Sequence, residues 1–408
     1  MARALVIGGG IAGPVAAMAL QKVGFEPTIY EAFDRAADGV GAFVNLAPNG
    51  LNALENLGLA ELVTRKGFDT PEIAFYKHTG KPLTGPISIG RHSGDGAVIR
   101  TLRRPELYAE LRNEAIRRGI RIEYGKRLVD AVPTADGVRA VFADEQTAEG
   151  DILIGADGLH SQVRSVIDPA SPAPRFLGVL NVFGSAEGLR VEGKPGPLHM
   201  FFGRKGFFMY IKTPSGDVWW FANPAVPDEA RAERLRRLPA ESRREWLLEG
   251  FGGDKMPAAR IVAASTDLPA PTLAYDVPKV PRWHRDRMII IGDAAHAVSQ
   301  TAGQGAAVAM EDAIVLAKCL RDAPTVEAAF DAYESLRRER AEAIVALGKH
   351  NKEGNTAGPL GRVIRDFFIK RAFREGSKNN PVWPHTHRIH WDTPVVIGDA
   401  RSGVRTAS

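Results

Sequence analysis

The feature that most constrains this chain is a glycine-rich turn close to its start. Gly8, Gly10 and Gly13 are spaced as G-x-G-x-x-G in the segment "GGGIAG", which follows the apolar run Ala4–Ile7 and opens a helical pattern. This spacing allows a tight turn, close approach of the backbone to a pyrophosphate, and close packing of the helix on the strand. A strand, a turn and a helix in this order predict a parallel sheet.

The second strand of this unit ends in an acidic residue. Glu31 closes the segment "EPTIYE", and a carboxylate at this place accepts hydrogen bonds from a ribose diol. A merely tight strand–helix turn would not need the acid, so the turn and the acid together predict a dinucleotide site with the phosphates at the helix N-terminus. The predicted cofactor contacts here are Gly8, Gly10, Ile11, Ala12, Gly13 and Glu31.

Two later segments also place an acidic turn after an apolar strand. "ILIGADGLHSQVR" contains Asp157, and "IIIGDAAH" contains Asp293 and leads to the glycine-bearing loop Gly303–Ala306 and a helix. A nicotinamide dehydrogenase needs one pyrophosphate site and a separate catalytic domain, and it does not need two further strand-end acids. The pattern therefore favours FAD over NAD as the bound dinucleotide.

Composition excludes several classes of protein. With 408 residues, 44% of them hydrophobic, the chain can bury one large core or two smaller ones. Lys and Arg are scattered among acids, so the net charge of +5 alone does not separate an anionic small molecule from nucleic acid. The single cysteine, Cys319, excludes an intrachain disulfide and predicts a reducing, cytoplasmic setting. No signal-peptide core or membrane-spanning apolar run is expected.

The order of patterns along the chain predicts an α/β fold with a second domain inserted into the first. Strand–turn–helix units recur in a Rossmann-like domain with a parallel sheet. Short aromatic runs between Gly and Pro turns, such as "HMFFGRKGFFMYIK", predict a mostly antiparallel sheet. The predicted boundaries are 1–75, 98–171 and 277–350 for the first domain, 76–97 and 172–276 for the inserted domain, and 351–408 for a C-terminal helix and tail.

Taken together, these motifs resemble those of the class A flavoprotein monooxygenases, the para-hydroxybenzoate hydroxylase type. The resemblance rests on "GGGIAG" with Glu31, "RRPEL", "GADGLHSQVR", "GDAAHAVSQTAGQGAAVAMEDA" and "YESLRRERA", over residues 1 to about 345. It implies FAD as cofactor, NADPH or NADH as transient co-substrate, and O2. It also implies insertion of one oxygen atom, by hydroxylation, epoxidation or a Baeyer–Villiger step, into an aromatic or polycyclic small molecule. The inserted sheet would then form the substrate domain.

The resemblance assigns roles to individual positions. Glu31 is expected to bind the adenosine ribose, and Arg104 of "RPEL" to lie beside the ribose and pyrophosphate. The backbone near Leu128 is expected to contact adenine, and Asp293 to bond the ribitol hydroxyls. The loop Gly303–Ala306, which includes Gly305, is expected against the isoalloxazine, where a helix N-terminus would face the negative charge of the reduced flavin.

Further positions follow from the same resemblance. Asp157 and Arg164 are expected to serve FAD and NADPH docking, and Asn45 is another predicted cofactor contact. The flavin carries the oxygen chemistry through its C4a-hydroperoxide, so no protein nucleophile is expected and the catalytic residues stay unassigned. A second G-x-G-x-x-G does not occur, which fits a family that binds NADPH transiently.

Aromatic residues of the inserted sheet are the candidates for substrate contact. Alternation puts Phe207 and Met209 on one face and Phe208 and Tyr210 on the other, and it leaves open which face lines the pocket. Gln300 stands where the resemblance implies a proline, so this amide is a candidate for tuning the chemistry. The predicted substrate contacts are Phe208, Tyr210, Trp220 and Gln300.

The remaining histidines are interpreted as structural or solvated. His296 in "GDAAH" could act as a base, but the resemblance implies a structural role near the strand end. His385, His387 and His390 lie in a Pro-flanked tail near Asp392, and their spacing does not suit a zinc site. We therefore expect no metal and a solvated tail.

Two alternatives to a monooxygenase stay open from the sequence. One is a flavin-dependent reductase or dehydrogenase of the same fold, and the other is a non-catalytic flavin-binding sensor. As partners we expect a small molecule and O2, with no nucleic acid and no membrane, and a monomeric or homodimeric protein.

Overall fold

The computed structural model describes residues 1–34, 43–88, 96–277, 279–355, 359–372 and 383–396. Strands and helices are numbered along the chain as β1–β19 and α1–α12. Among the helices of these residues, none combines the length and the apolar character that crossing a membrane requires.

A six-stranded sheet organises the first domain. Its order is β18 (His284–Arg285), β19 (Met288–Ile290), β12 (Ile152–Gly155), β1 (Ala2–Ile7), β2 (Phe25–Tyr30) and β8 (Arg121–Glu123). All neighbours pair in parallel except β18 and β19. The inner strands are buried on both faces, as expected of a sheet covered by helices. Because β1, β12 and β19 are adjacent, the three motif turns that follow them lie at one edge of the sheet.

A seven-stranded sheet forms the inserted domain. Its order is β17 (Thr272–Asp276), β13 (Arg175–Ala186), β16 (Val218–Pro224), β15 (Gly206–Lys212), β14 (Leu198–Phe202), β5 (Glu72–Lys77) and β6 (Ile87–Ser88). Pairing is antiparallel apart from β14 with β5. The sheet therefore combines two segments far apart in sequence, and the earlier one begins at Glu72, ahead of the boundary expected at residue 76.

Two smaller sheets complete the strands. One has the order β3 (Phe43–Leu46), β7 (Ile99–Arg103) and β4 (Phe68–Thr70), and the other β11 (Thr147–Gly150), β10 (Val138–Phe142) and β9 (Leu128–Pro133). The second sheet contains the segments "RLVDAV" and "GVRAVFA" and is separate from the parallel sheet. Short turns join these strands, and only antiparallel neighbours can be joined that way.

The helices cover the sheets and fill the C-terminal part. They are α1 (Ala12–Lys22), α2 (Pro48–Glu55), α3 (Ala60–Thr64), α4 (Arg104–Arg117), α5 (Gln162–Ile167), α6 (Glu229–Arg236), α7 (Ala240–Phe251), α8 (Ala258–Ala263), α9 (Asp293–His296), α10 (Gly305–Asp322), α11 (Val326–Asn355) and α12 (Pro359–Ala372), with 3-10 turns at Gln300–Ala302 and Trp383–Thr386. Helix α2 ends at Glu55, and Gly58 shortly after it adopts a φ of 71°, which stops the chain from continuing as a helix.

Small residues bring the helices of the two halves of the chain together. A Cβ on Gly50 of α2 would lie 2.9 Å from Cβ of Ala307 on α10. A Cβ on Gly292 would lie 3.1 Å from Cβ of Ala309 on α10 and 3.6 Å from Cβ of Ala12 on α1. The turn after β19 therefore lies between the helix of the first glycine turn and the helix of the second.

Residues 383–396, called the strap below, are docked on the first domain, which corrects the expectation of a solvated tail. The Ile389 N–H donates to Oδ1 of Asn52 (2.8 Å), and Arg321 donates to the Trp391 carbonyl (2.7 Å). Ile389 is buried, and the Arg321 guanidinium lies 5.0 Å from the Trp391 ring centroid. Backbone hydrogen bonds and apolar burial hold the strap where the polar sequence suggested solvent.

Candidate active site

The first glycine turn combines two crowded positions with one open one. Gly8 has a φ of 106°, and a Cβ on it would overlap the carbonyl oxygen of Ala156. A Cβ on Gly13 would overlap the carbonyl oxygen of Gly8, whereas a Cβ on Gly10 would meet no protein atom within 4 Å. Gly8 and Gly13 are thus required for folding of the turn, and Gly10 faces the open space that a bound group would need.

Glu31 lies directly against this turn. The backbone N–H of Gly9 donates to Oε2 of Glu31 (2.6 Å), and the N–H of Phe33 donates to Oε1 (3.0 Å). Each carboxylate oxygen keeps a lone pair for a further donor. The acid at the end of β2 is therefore oriented by backbone groups and can still accept hydrogen bonds from a diol.

Asp293 follows β19 and opens α9. Asp293 as a residue is exposed, yet desolvation by the surrounding protein raises the pKa of its carboxyl group, and the charges of His296 and Arg104 partly oppose that rise. Oδ1 of Asp293 lies 3.9 Å from the position of a Cβ on Gly305, at the start of α10. Asp293 therefore lies near both Arg104 and the second glycine loop.

The second glycine loop, residues 303–306, combines one exposed residue with one buried residue and two half-buried residues. Gly303 adopts the left-handed conformation with a φ of 63°, and Gly303 itself is exposed. Gln304 is instead buried, and its Oε1 accepts from Nδ2 of Asn49 (2.9 Å). Gly305 and Ala306 are half-buried and begin α10. The sequence reasoning missed Gln304 and Asn49, although a glutamine between two glycines was visible.

A buried ionic cluster lies behind the turn after β19. Arg337 on α11 pairs with Glu311 (2.7 Å) and Asp312 (2.8 Å) on α10, and all three side chains are at most 1% exposed. Asp312 also accepts from the Gly292 N–H (2.9 Å) and from Nε2 of His296 (2.6 Å). The cluster was missed, although two adjacent acids in the apolar run "AVAMEDAIVL" are a recognisable signal.

The charges of the cluster are strongly stabilised. Burial by itself would raise the pKa of Asp312, but the charges of His296 and Arg337 and the hydrogen bonds from His296 and Gly292 lower it to about 2. The pKa of Glu311 is likewise about 2, because Arg337 and Arg340 outweigh its burial. Both carboxylates are ionised at neutral pH, and His296 serves to hold the turn through Asp312.

Asp157 and Arg164 are occupied by protein partners. Asp157 accepts from Oγ of Ser161 (2.5 Å) and from the N–H of Gln162 (2.8 Å), and so caps α5, while burial raises its pKa. The buried guanidinium of Arg164 donates to the carbonyls of Ala294 (3.0 Å) and Leu159 (2.8 Å). These contacts tie the turn after β12 to α9, and the docking roles of both residues stay predictions.

Three other predicted cofactor contacts lie on separate elements. Arg104 begins α4, and its Nε donates to Oη of Tyr108 (2.8 Å). Asn45 lies on β3, where its Oδ1 accepts from Thr101 (2.7 Å). Leu128 begins β9 with its side chain in the core, which leaves its backbone as the group that could contact a ligand.

Three predicted substrate residues lie on the face of the seven-stranded sheet that packs under α6–α8. Phe208 and Trp220 are fully buried, and Tyr210 is 7% exposed in the same apolar cluster. Trp220 donates from Nε1 to Ser265 (2.8 Å), and the Phe208 ring lies 5.7 Å from that of Phe251 on α7. The structure does not bring these three side chains to the glycine turns, because helices of the inserted domain cover their face.

The opposite face is aromatic and meets the sheet of β3, β7 and β4. Phe207, Met209 and Phe221 share one cluster with Phe43 of β3. The ring of Trp219, on the same face of β16 as Phe221, lies 6.0 Å from that of Phe43. Since β7 leads directly into Arg104, this face is the one turned toward the region of the predicted cofactor contacts.

Gln300 opens the 3-10 turn before the second glycine loop. It is exposed. The turn is supported from behind by α11, where a Cβ on Gly348 would lie 3.3 Å from Cβ of both Ala302 and Ser299. Gln300 is thus on the open side of a turn whose other side is packed.

The arrangement fits FAD. The open position at Gly10, the oriented Glu31 carboxylate and the helix N-terminus suit a pyrophosphate and ribose. Asp293 and the loop 303–306, with Gly303 exposed, form a second polar end on the same edge of the sheet. Within the described residues, no three His, Cys, Asp or Glu side chains are grouped to hold a metal ion.

Comparison with known proteins gives the same assignment. Residues 1–347 match the family described as FAD binding domain. The chain is 29% identical to the FAD-dependent urate hydroxylase of Klebsiella pneumoniae, over 84% of this chain and 88% of the relative. It is 30% identical to the 6-hydroxynicotinate 3-monooxygenase of Pseudomonas fluorescens, over 86% of this chain and 91% of the relative.

Solved structures agree. The crystal structure of Klebsiella pneumoniae HpxO complexed with FAD and uric acid superposes with a TM-score of 0.80 at 25% identity, covering 90% of this chain and 92% of that one. These findings confirm the predicted α/β fold, the flavoprotein resemblance, and FAD as the cofactor. The chain belongs to the FAD-binding domain family and is an FAD-dependent monooxygenase.

Proposed function

We propose that this monooxygenase takes electrons from NADPH or NADH and inserts one oxygen atom of O2 into an aromatic or polycyclic small molecule, by hydroxylation. The observation that carries the proposal is the convergence of the two glycine turns. Gly292 lies between Ala12 of α1 and Ala309 of α10. One extended FAD would then reach from Glu31 to the loop 303–306.

The residues of the chain have separate tasks in this proposal. Bound FAD supplies the redox and oxygen chemistry. Glu31 accepts hydrogen bonds from the adenosine ribose, and Asp293 from the ribitol. The N-terminus of α10 at Gly305 directs its positive end toward the flavin ring and favours negative charge there. Gln300, on the open side of its turn, contacts the substrate.

We assign the substrate to the face of Phe207, Met209 and Phe221 rather than to that of Phe208 and Trp220. The second pair is covered by helices, whereas the first three side chains point toward the β3 sheet and the cofactor region. The relatives named above act on urate and 6-hydroxynicotinate, which are hydroxylated nitrogen heterocycles. An aromatic-walled pocket suits a flat ring of that kind, and we propose a hydroxylated aromatic or heteroaromatic substrate.

Location and assembly complete the proposal. The single, buried Cys319 is consistent with a reducing cytoplasm. A monomer or a homodimer is the proposed state, and sedimentation of the FAD-loaded protein distinguishes the two.

The experiment is a screen of NADPH and NADH oxidation against phenolic acids, hydroxylated heterocycles and polycyclic phenols. With a true substrate we expect consumption of NAD(P)H matched by product that carries one labelled oxygen when isotopically labelled O2 is supplied. Reduction of a ligand without labelled oxygen would support a reductase instead. Flavin binding with no ligand-dependent turnover across the screen would support a sensor.

Adjacent residues of β15 test the choice of face. Met209→Ala is expected to raise KM about fivefold or to uncouple NAD(P)H oxidation, with a small loss of stability, because Met209 is half-buried on the cofactor side. Phe208→Ala is expected to cost about 3–5 kcal/mol of unfolding free energy, because a fully buried ring leaves a cavity. Steady-state kinetics and denaturant unfolding of both variants measure this. A KM effect confined to Phe208→Ala would reverse the assignment.

A further inference from the structure

The strap reaches the second glycine loop through a pair of side chains. Nε2 of His385 lies 3.4 Å from Nε2 of Gln304, the residue between Gly303 and Gly305. Gln304 is 1% exposed, so this contact is shielded from solvent. A C-terminal segment distant in sequence thus contacts the loop that we place against the flavin ring.

The orientation of the Gln304 amide follows from its other partner. Nδ2 of Asn49 donates to Oε1 of Glu311 (2.7 Å), and a carboxylate can only accept, which fixes Nδ2 as the amide nitrogen. The same Nδ2 donates to Oε1 of Gln304 (2.9 Å). The Gln304 amide nitrogen therefore faces His385, whose Nε2 must accept, so that the imidazole is neutral with its proton on Nδ1.

Arg340 of α11 closes these contacts into a ring. Its guanidinium donates to Oε1 of Glu311 (2.8 Å) and to the carbonyl of Pro384 in the strap (2.8 Å). It also lies 5.5 Å from the Trp383 ring centroid. One continuous path thus runs from Gln304 through Asn49, Glu311 and Arg340 to the strap and back through His385. Burial lowers the pKa of His385 to about 4, in agreement with a neutral ring.

We propose that His385 is a positioning residue for FAD, which acts through Gln304 to hold the second glycine loop in the conformation that receives the flavin ring. The proposal rests on the proposed placement of the ring against that loop. It makes the strap a part of the cofactor site, although it lies outside the residues that match the family. Loosening the strap is expected to weaken FAD binding while the rest of the fold stays intact.

Three full-length variants test this. His385→Leu removes the acceptor and is expected to raise the dissociation constant of FAD about tenfold, measured by flavin fluorescence on titration of the apoprotein. His385→Gln keeps an acceptor and is expected to restore most of the affinity. His390→Ala is the matched control, since His390 is an exposed histidine of the same strap, and it is expected to leave FAD affinity unchanged.

A second measurement separates positioning from general damage. The melting temperature of each apoprotein is expected to change far less than its FAD affinity. The double variant Gln304→Leu with His385→Leu is expected to bind FAD no more weakly than either single variant, because the two residues act through one contact. Equal FAD affinity in His385→Leu and the wild type would overturn the proposal. Failure of the wild type to oxidise NAD(P)H with any ligand would count against the proposed function alone, because FAD affinity is measured independently of turnover.

Discussion

Replacing Gly10 with valine is expected to abolish FAD binding and leave the apoprotein folded. A Cβ at this position meets no protein atom within 4 Å, and the backbone is not in the left-handed region, so the apoprotein can accommodate the side chain. The same open space is where the pyrophosphate must approach the backbone. We expect at least a hundredfold loss of FAD affinity by fluorescence titration, with a melting temperature of the apoprotein within about 2 °C of wild type.

Substitutions at two other glycines serve as controls for Gly10→Val. Gly253→Val places the same side chain at another open position, in the inserted domain and away from the site, and should change neither property. Gly13→Ala should unfold the turn, because its Cβ would overlap the carbonyl oxygen of Gly8. Retention of tight FAD binding by Gly10→Val would show that the pyrophosphate does not lie at this turn.

The parts of the molecule that the sequence predicted well are set by local spacing. The glycine turn needs its three glycines within six residues, and Glu31 ends the next strand, so one βαβ unit carries the whole signal. The strand-end positions of Asp157 and Asp293 were likewise readable from short apolar runs. The sheet order β19-β12-β1, which the spacing does not show, places these turns side by side, because adjacent parallel strands align their carboxyl ends.

The role of each face of β15 and the burial of the strap could not be predicted, because both depend on which distant elements pack against them. Phe207 and Phe208 have the same chemistry and alternate on β15, and only the docking of α6–α8 decides which of them packs under helices. The strap has a polar sequence that reads as solvated, and its burial depends on partners more than 300 residues away, such as Asn52. Alternation gives the two faces of a strand, but long-range packing gives each face its role.

The buried ionic cluster explains why two acids stand in an apolar helix, and it holds the turn that carries Asp293. Acids are rare at fully buried positions unless they are paired, so Glu311 and Asp312 within an apolar helix imply a cation from another element. Arg337 of α11 supplies it, and Asp312 in turn accepts the N–H of Gly292. Any change in the cluster is therefore expected to affect both stability and the position of Asp293.

Arg337→Met is expected to lower the free energy of unfolding by about 3–5 kcal/mol, because it leaves two buried carboxylates short of their main cation. Urea unfolding at pH 7 measures the loss. Arg65→Met is the matched control, since Arg65 pairs with Glu61 at the surface with both side chains more than 70% exposed, and less than about 1 kcal/mol is expected. Losses of equal size in the two variants would contradict the assigned role of the cluster.

The pH dependence of the same variant distinguishes a lost ion pair from a lost side-chain volume. In the wild type the pKa values of Glu311 and Asp312 are about 2, below their ordinary values, so their stabilising contribution is complete above about pH 5 and is lost only as pH falls toward 2. Without Arg337 the pKa values of both carboxyl groups rise, so acidification protonates them. Protonation removes the free-energy cost of burying the two charges. The stability difference between wild type and variant is therefore expected to shrink as pH falls from 7 to 4. A difference that stays constant over this range would mean that Arg337 acts by packing alone.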